Sequence, residues 1–282
     1  MARKYQAAFT VQAAAGLVLS AWFSGTSALG QDAPAPGAPP AMPAPFSRDC
    51  QVPNDAVIRQ SPLPNVAAAL QKRKTIKILA IGASAMARWR GRRGDYTQQI
   101  EAILENAVKG ITVDIINRGV SGELAADAAQ RIRTEVALNE PDLVLWQVGT
   151  NDALAYVPID ELRDTIVETV RWLREHKVDV VLVGLQFVRR ERQDDNYRTV
   201  RALIRSIGEQ EKVVVVRRSE AMRLIRQAAE SGGLFPEEFA QTEAGYACLA
   251  EYIARAITLG AFGRGLRDRL PRPGQPPAQS QP

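Results

Sequence analysis

The feature of this sequence that most constrains its fold is a regular alternation of short apolar runs with amphipathic stretches. The apolar runs are rich in β-branched residues and are bounded by turn residues; they cover 75–83, 111–119, 142–149, 178–186 and 212–218. Such runs are typical of strands that are buried on both faces, and the intervening segments have helical spacing of apolar residues. Strict alternation of strand and helix predicts an α/β fold, a three-layer sandwich with a five-stranded parallel sheet between two layers of helices.

Residues 1–30 have the composition of a secretory signal peptide. Arg3 and Lys4 precede an apolar stretch over 7–23, and small residues at Ala28 or Gly30 offer a cleavage site. The alternative is an uncleaved anchor, for which this stretch is short, because about 20 apolar residues are needed to span a bilayer. We therefore expect an exported protein, periplasmic or secreted, without stable membrane insertion after cleavage.

Two further segments have a composition that cannot build a core. Residues 31–49 begin with the Ala/Pro-rich stretch QDAPAPGAPPAMPAPF, which predicts an extended linker, and residues 271–282 form a Pro-rich tail that we expect to be disordered. One folded domain is expected over residues 50–270, and this length is sufficient for a single hydrophobic core.

The charge and the residue types exclude several kinds of partner. The formal charge is +5, and it falls to +3 when Arg3 and Lys4 are removed with the signal peptide. So small a charge on an exported protein argues against nucleic acid as a partner. The sequence has one His and two Cys, without a Cys-x-x-Cys motif or a Cys/His cluster, so we expect neither a metal nor a cofactor.

The two cysteines are Cys50 and Cys248. In an exported protein a single pair predicts one disulfide, which here would join the start of the folded domain to its last helix. The alternative is a pair of buried free thiols.

Distinctive motifs follow three of the predicted strands. Ser84 ends the sequence IGAS, Gly119 lies in NRGVSGE, and Asn151 lies in VGTND. In a parallel α/β sheet the loops that follow the strands gather at one edge, where ligands bind. A serine hydroxyl can act there as a nucleophile, and a glycine N–H and an asparagine amide can stabilise an oxyanion. Taken singly, these residues also suit a helix N-cap, a tight turn and an Asx turn.

Together the motifs resemble those of the SGNH/GDSL hydrolases, and the resemblance extends over residues 75–257, including PDLVLWQVGTND and GYACLAEYIARAI. It implies a flavodoxin-like fold of the SGNH hydrolase type and a serine esterase or lipase activity. It also implies that Ser84 is the nucleophile and that Gly119 and Asn151 complete the oxyanion hole. The first motif departs from the family, whose usual Gly-Asp-Ser is Gly-Ala-Ser here, ending at Ser84.

The last motif departs further, because the family's Asp-x-x-His is missing. Counting back from Gly245 places Ala240 at the histidine position and Glu237 at the aspartate position. The one histidine, His176, is predicted to lie at a helix C-terminus on the opposite edge of the sheet. Loss of the base alone costs about 10⁶ in turnover in a serine hydrolase, so the sequence predicts weak or atypical hydrolysis.

Four glutamates are candidates to replace the missing base. A glutamate whose pKa is raised by burial can act as a general base. Glu237 and Glu243 are the main candidates, with Glu238 and Glu123 in addition. The alternative is that each is a solvated charge at the start of a helix.

Arginines are concentrated in the segments that follow the predicted strands. We expect them at the same edge of the sheet, where guanidinium groups would attract and bind carboxylate or phosphate. The main candidates for anion binding are Arg88, Arg90, Arg118 and Arg189, with Arg92, Arg93, Arg190 and Arg192 in addition. The alternative is an arginine-rich surface without function.

These observations predict hydrolysis of an ester bond in a small-molecule ester or in an acylated or anionic glycan. The alternative is a non-catalytic periplasmic binding protein, which would keep the oxyanion pocket to recognise an anionic or acylated ligand.

Overall fold

Strands and helices alternate through residues 46–82, 96–187, 194–232, 239 and 242–267, the part of the chain that the computed structural model describes. The strands are β1 (Ile58–Arg59), β2 (Thr75–Gly82), β3 (Thr112–Gly119), β4 (Leu143–Gln147), β5 (Asp179–Val183) and β6 (Val214–Val216). The helices are α1 (Asn54–Val57), α2 (Pro64–Arg73), α3 (Tyr96–Ala107), α4 (Ala125–Asn139), α5 (Thr150–Leu154), α6 (Ile159–Glu175), α7 (Asp195–Gln210), α8 (Arg218–Gly232) and α9 (Glu243–Arg267).

The strands form one mostly parallel sheet, which confirms the predicted α/β fold. The order is β1-β6-β5-β4-β2-β3, and β1 is antiparallel to β6. The five predicted parallel strands are present as β2 to β6, and β1 adds a sixth, antiparallel strand within the described residues. It consists only of Ile58 and Arg59, which pair with Val216 and Val215. Two residues are too few to show the alternating pattern of a strand, so β1 is specified by its pairing with β6 and not by its own sequence.

Both faces of the sheet are covered by helices, as the continuous apolar runs require. In β4, Leu143 and Leu145 pack with the helices α2, α3, α8 and α9, whereas Val144 and Trp146 pack with α4, α6 and α7. We call these two sides the α3/α9 face and the α4/α6 face. Because side chains alternate along a strand, the side of any β4 residue follows from its position.

Helix α9 is buried on most of its circumference, and a disulfide joins it to the N-terminal segment. Cys50 and Cys248 are bonded, with a sequence separation of 198, which confirms the predicted pairing. Next to this bond, the Tyr252 hydroxyl donates to the Cys50 carbonyl at 2.8 Å, and the Ser47 N–H donates to Glu251 Oε2 at 2.9 Å. The start of the domain is thus fixed to its last helix.

The predicted signal peptide, nearly all of the linker and the Pro-rich tail lie outside the described residues. Their assignments stay predictions. Among the described helices, none has both the length and the apolar character that crossing a membrane requires.

Candidate active site

The direction of the strand order reverses between β2 and β4, and we call the carboxyl edge of the sheet at this switch point the crevice. Strand β2 continues through α3, on the α3/α9 face, to β3 on one side, whereas β4 continues through α6, on the opposite face, to β5 on the other side. The loops after β2 and β4 therefore diverge, and in open α/β sheets ligands bind at such a switch point. The three motifs singled out from the sequence follow β2, β3 and β4, the strands around this crevice.

Gly82 ends β2 in a conformation that requires glycine. Its φ is +108°, and a Cβ at this position would lie 2.1 Å from the carbonyl oxygen of Gln147, its neighbour on β4. A side chain would therefore collide with the backbone of the adjacent strand. Ser84, two residues later, lies outside the described residues, and its role as the nucleophile stays a prediction.

Gly119 ends β3 opposite Gly82 and is tied to the loops around it. Its N–H donates to Asn117 Oδ1 at 3.0 Å, and the following Val120 N–H donates to the Gly82 carbonyl at 3.0 Å. The turn then continues through Gly122, whose φ is +82°. Gly119 is thus at the predicted edge, but its N–H already has an intramolecular acceptor.

Asn151 lies in the first turn of α5, and its side chain reaches across to the loop after β3. Its Nδ2 donates to the Glu123 carbonyl at 2.8 Å. An asparagine amide has two N–H groups, so one remains without a partner among the residues that the structure describes. The side chain is therefore oriented by one hydrogen bond and keeps a second donor for a ligand.

Asp152 connects the loop after β3 to the loop after β4 through hydrogen bonds of its carboxylate. Its Oδ1 accepts the Ala125 N–H at 2.8 Å, and its Oδ2 accepts the N–H of Gly149 at 3.1 Å. The residue is 2% exposed, and this burial raises its pKa, partly opposed by the hydrogen bonds that favour the charged form. Asp152 is thus the third residue of a capping box at the start of α5, and it also joins the start of α4 to the start of α5.

Glu123 is not the solvated helix-start charge that one interpretation of the sequence proposed. Its side chain is 3% exposed and forms an ion pair with Arg131 of α4. Arg131 also donates from Nη2 to the Arg118 carbonyl at 2.7 Å. This arrangement braces the loop that carries Gly119 and the acceptor of Asn151.

None of the other predicted base candidates has a described position beside Gly119 and Asn151. Glu243 is exposed in the first turn of α9, where the helix dipole stabilises a carboxylate. Glu237 and Glu238 lie outside the described residues, as does Ala240. His176 is the C-cap of α6, where its Nδ1 lies 2.8 Å from the Trp172 carbonyl oxygen, so it is at the amino edge of the sheet, as predicted.

Of the predicted anion-binding residues, the structure describes only Arg118. Its Nε forms an ion pair with Glu135 Oε2 of α4 at 3.0 Å, so its charge is compensated on the α4/α6 face. Arg88, Arg90 and Arg189 lie outside the described residues, together with Arg92, Arg93, Arg190 and Arg192. Their function stays a prediction.

Three features of this edge were missed from the sequence. Arg131 braces a loop from the following helix, and no sequence spacing indicates such a contact. Gln147 is a polar residue at the end of an otherwise apolar strand, which is a signal that could have been used. Arg218, after β6, is fully buried with its guanidinium 5.2 Å from the ring of Tyr246, and Tyr246 lies 6.1 Å from Tyr96 at the start of α3.

A cavity of about 500 Å³ lies at the opposite, amino edge of the sheet. Its polar groups already have structural roles, since Asp179 accepts hydrogen bonds from the N-terminus of α2 and Glu211 pairs with Arg174. Across the described residues no group of three or more His, Cys, Asp or Glu could hold a metal ion.

The fold and this edge define a hydrolase-like protein of the SGNH/GDSL type. The chain matches the family model of the non-GDSL lipase-like family over residues 49–262 and belongs to that family. Among curated proteins it is similar to the uncharacterized lipoprotein YqeF of Bacillus subtilis (strain 168), with 30% identity over 105 residues. That alignment covers 33% of this chain and 43% of YqeF.

Among solved structures the chain resembles Axe2, an acetylxylan esterase from Geobacillus stearothermophilus. The identity is 21%, the TM-score is 0.54, and the match covers 64% of this chain and 94% of the esterase. A catalytic mutant of the same esterase matches with 22% identity and a TM-score of 0.52 over the same shares of both chains. At this level of identity the likeness shows the fold.

Proposed function

We propose that this chain hydrolyses an ester bond at the carboxyl edge, with Ser84 as the nucleophile. The observation that carries the proposal is the geometry of Asn151, which is held by the Glu123 carbonyl at 2.8 Å and keeps one N–H for a ligand. Ser84 follows Gly82, which ends the neighbouring strand β2. A nucleophile and a preorganised amide donor are the parts that acyl transfer requires.

Gly119 is the second donor of the proposed oxyanion hole. Its N–H is held by Asn117 Oδ1 at 3.0 Å, so an oxyanion would have to share this N–H in a three-centre hydrogen bond. A shared donor stabilises charge less than a free one, which favours slow turnover. Membership of the lipase-like family supports the reaction class.

The general base of the proposed mechanism is a carboxylate in place of the usual histidine. His176 is at the amino edge, so it does not have the position of a base. Glu123 is paired with Arg131 through Oε1, and its buried Oε2 has no partner among the described residues. Glu237 and Glu243 stay the proposed substitutes. With a carboxylate in place of histidine, we expect a rate well below that of an ordinary serine esterase.

We propose a short acyl ester of a sugar as the substrate, because the structural neighbour Axe2 is an acetylxylan esterase. The arginine-rich segments around Arg88, Arg90 and Arg189 would favour a substrate that also carries negative charge. The disulfide between Cys50 and Cys248 supports export to the periplasm or beyond, because such bonds persist in oxidising compartments.

A second candidate is a binding protein that recognises an acylated or anionic ligand without hydrolysing it. The position of His176, remote from the crevice, favours this candidate, because a serine without a base is a poor nucleophile. Both candidates use the same donors at the carboxyl edge. Only turnover separates them.

The experiment is hydrolysis of p-nitrophenyl acetate by the purified mature protein, beside Ser84→Ala and Asn151→Ala, over a range of pH. We expect Ser84→Ala to abolish turnover and Asn151→Ala to lower it by about 10²–10³. A rate that rises through a kinetic pKa of about 5–7 would identify a carboxylate base. Equal, negligible rates for all three proteins would refute catalysis and favour the binding protein.

A further inference from the structure

Gln147 is the last residue of β4 and lies beside the crevice. Its backbone pairs with Gly82 of β2 on one side and with Val183 of β5 on the other. Since Leu143 and Leu145 face α3 and α9, alternation along the strand places the Gln147 side chain on that same face. The residue is 2% exposed.

The side-chain amide of Gln147 has no hydrogen-bond partner among the described residues, at either Oε1 or Nε2. A buried amide that gives up its water without gaining a partner destabilises the folded protein. Because nearly all buried polar groups in native proteins are paired, each exception requires an explanation. Functional sites are where such exceptions are expected, since groups there are kept for a ligand.

The position of this amide points to a ligand. It lies at the switch point of the sheet, where ligands of α/β proteins bind. It is also four residues before Asn151, the proposed oxyanion donor. On the other side it is next to Gly82, and because Gly82 has no side chain, the backbones of β2 and β4 can approach closely there. An unpaired donor and acceptor thus lie together at the place where the ligand is expected.

We propose that Gln147 is a specificity residue that binds two neighbouring hydroxyl groups of a sugar ligand. An amide is matched by a pair of hydroxyls, one of which accepts from Nε2 while the other donates to Oε1. A carboxylate could only accept from Nε2 and an ammonium could only donate to Oε1, so each would leave one atom unpaired. This inference deepens the proposed function and rests on it for the site of binding.

The first test measures stability and does not depend on catalysis. Gln147→Met replaces the amide by an apolar side chain of similar size, so the melting temperature should rise by about 2–4 °C, because an unpaired buried amide is removed. Gln60→Met is the matched control, since the Nε2 of Gln60 is also buried and unpaired but follows β1 at the amino edge. A fall in the melting temperature of Gln147→Met would overturn the proposal, because it would show a structural role.

The second test separates sugar recognition from catalysis. The loss of kcat/KM in Gln147→Met should be at least tenfold greater on acetylated xylo-oligosaccharides than on p-nitrophenyl acetate, which has no hydroxyl. The Gln60→Met protein should match wild type on both substrates. Equal kcat/KM values of Gln147→Met and wild type on the sugar ester would overturn the proposal.

Calorimetric titration with xylotriose distinguishes the failure of this inference from the failure of the proposed function. If wild type hydrolyses neither ester but binds xylotriose, and Gln147→Met binds it at least tenfold more weakly, catalysis is refuted and sugar recognition stands. If wild type hydrolyses p-nitrophenyl acetate but does not bind xylotriose, the proposed reaction stands and the role of Gln147 is overturned.

Discussion

The disulfide between Cys50 and Cys248 should contribute a large part of the stability of the folded domain. The bond closes a loop with a sequence separation of 198 residues. In the chain-entropy treatment, a loop of this length restricts the unfolded chain by about 5 kcal/mol, and native disulfides typically contribute about 2–5 kcal/mol when they are removed. Total stabilities are about 5–15 kcal/mol, so reduction should weaken the protein severely.

Urea unfolding of the oxidised and the reduced protein measures this contribution. With a slope of about 2–3 kcal/mol per molar urea, the expected loss of 2–5 kcal/mol lowers the midpoint by about 1–2 M. Cys50→Ala/Cys248→Ala should unfold near the reduced protein, because both side chains are buried and small. Midpoints of oxidised and reduced protein that agree within about 0.3 M would refute the reasoning.

Three further predictions concern single positions. The pKa of Asp179 is raised to about 6, mainly by burial, so its contribution to stability is present below pH 3.8 and is lost as the pH rises through 6. Between pH 4 and 7 the unfolding free energy of wild type should therefore fall by about 2 kcal/mol relative to Asp179→Asn, and a constant difference would contradict this. Gly82→Ala should fail to fold or lose far more than Gly110→Ala, where no atom lies within 4 Å and the positive φ alone costs about 1–2 kcal/mol; equal melting temperatures would contradict the predicted collision. Arg131→Met should destabilise by about 1–3 kcal/mol and speed amide exchange over residues 119–125, because Glu123 loses its partner; unchanged exchange would show that the ion pair does not brace the loop.

The central part of the fold was predictable because its strands are buried on both faces. Strands such as β4 and β5 read as continuous apolar runs, and the parallel arrangement follows from their alternation with helices. Strand β1 was not predictable, because two residues cannot show an alternation of apolar and polar side chains, and their pairing with β6 is a tertiary contact.

The candidate site was predictable in outline for a similar reason. Loops after parallel strands meet at one edge, so the order of the motifs alone placed Gly119 and Asn151 near each other. The contacts that hold them were not predictable. Arg131 reaches Glu123 and the Arg118 carbonyl across a loop, and the unpaired amide of Gln147 is visible only when burial and partners are known.

Covalent labelling of the mature protein by a fluorophosphonate, followed by peptide mass spectrometry, tests directly whether Ser84 is a nucleophile. A fluorophosphonate reacts with an activated serine and leaves a phosphonyl group on its oxygen. We predict one adduct, on Ser84, that forms more slowly in Asn151→Ala and is absent in Ser84→Ala. An adduct on another residue, or no adduct after prolonged exposure to excess reagent, would contradict the claim that Ser84 is a nucleophile at this edge.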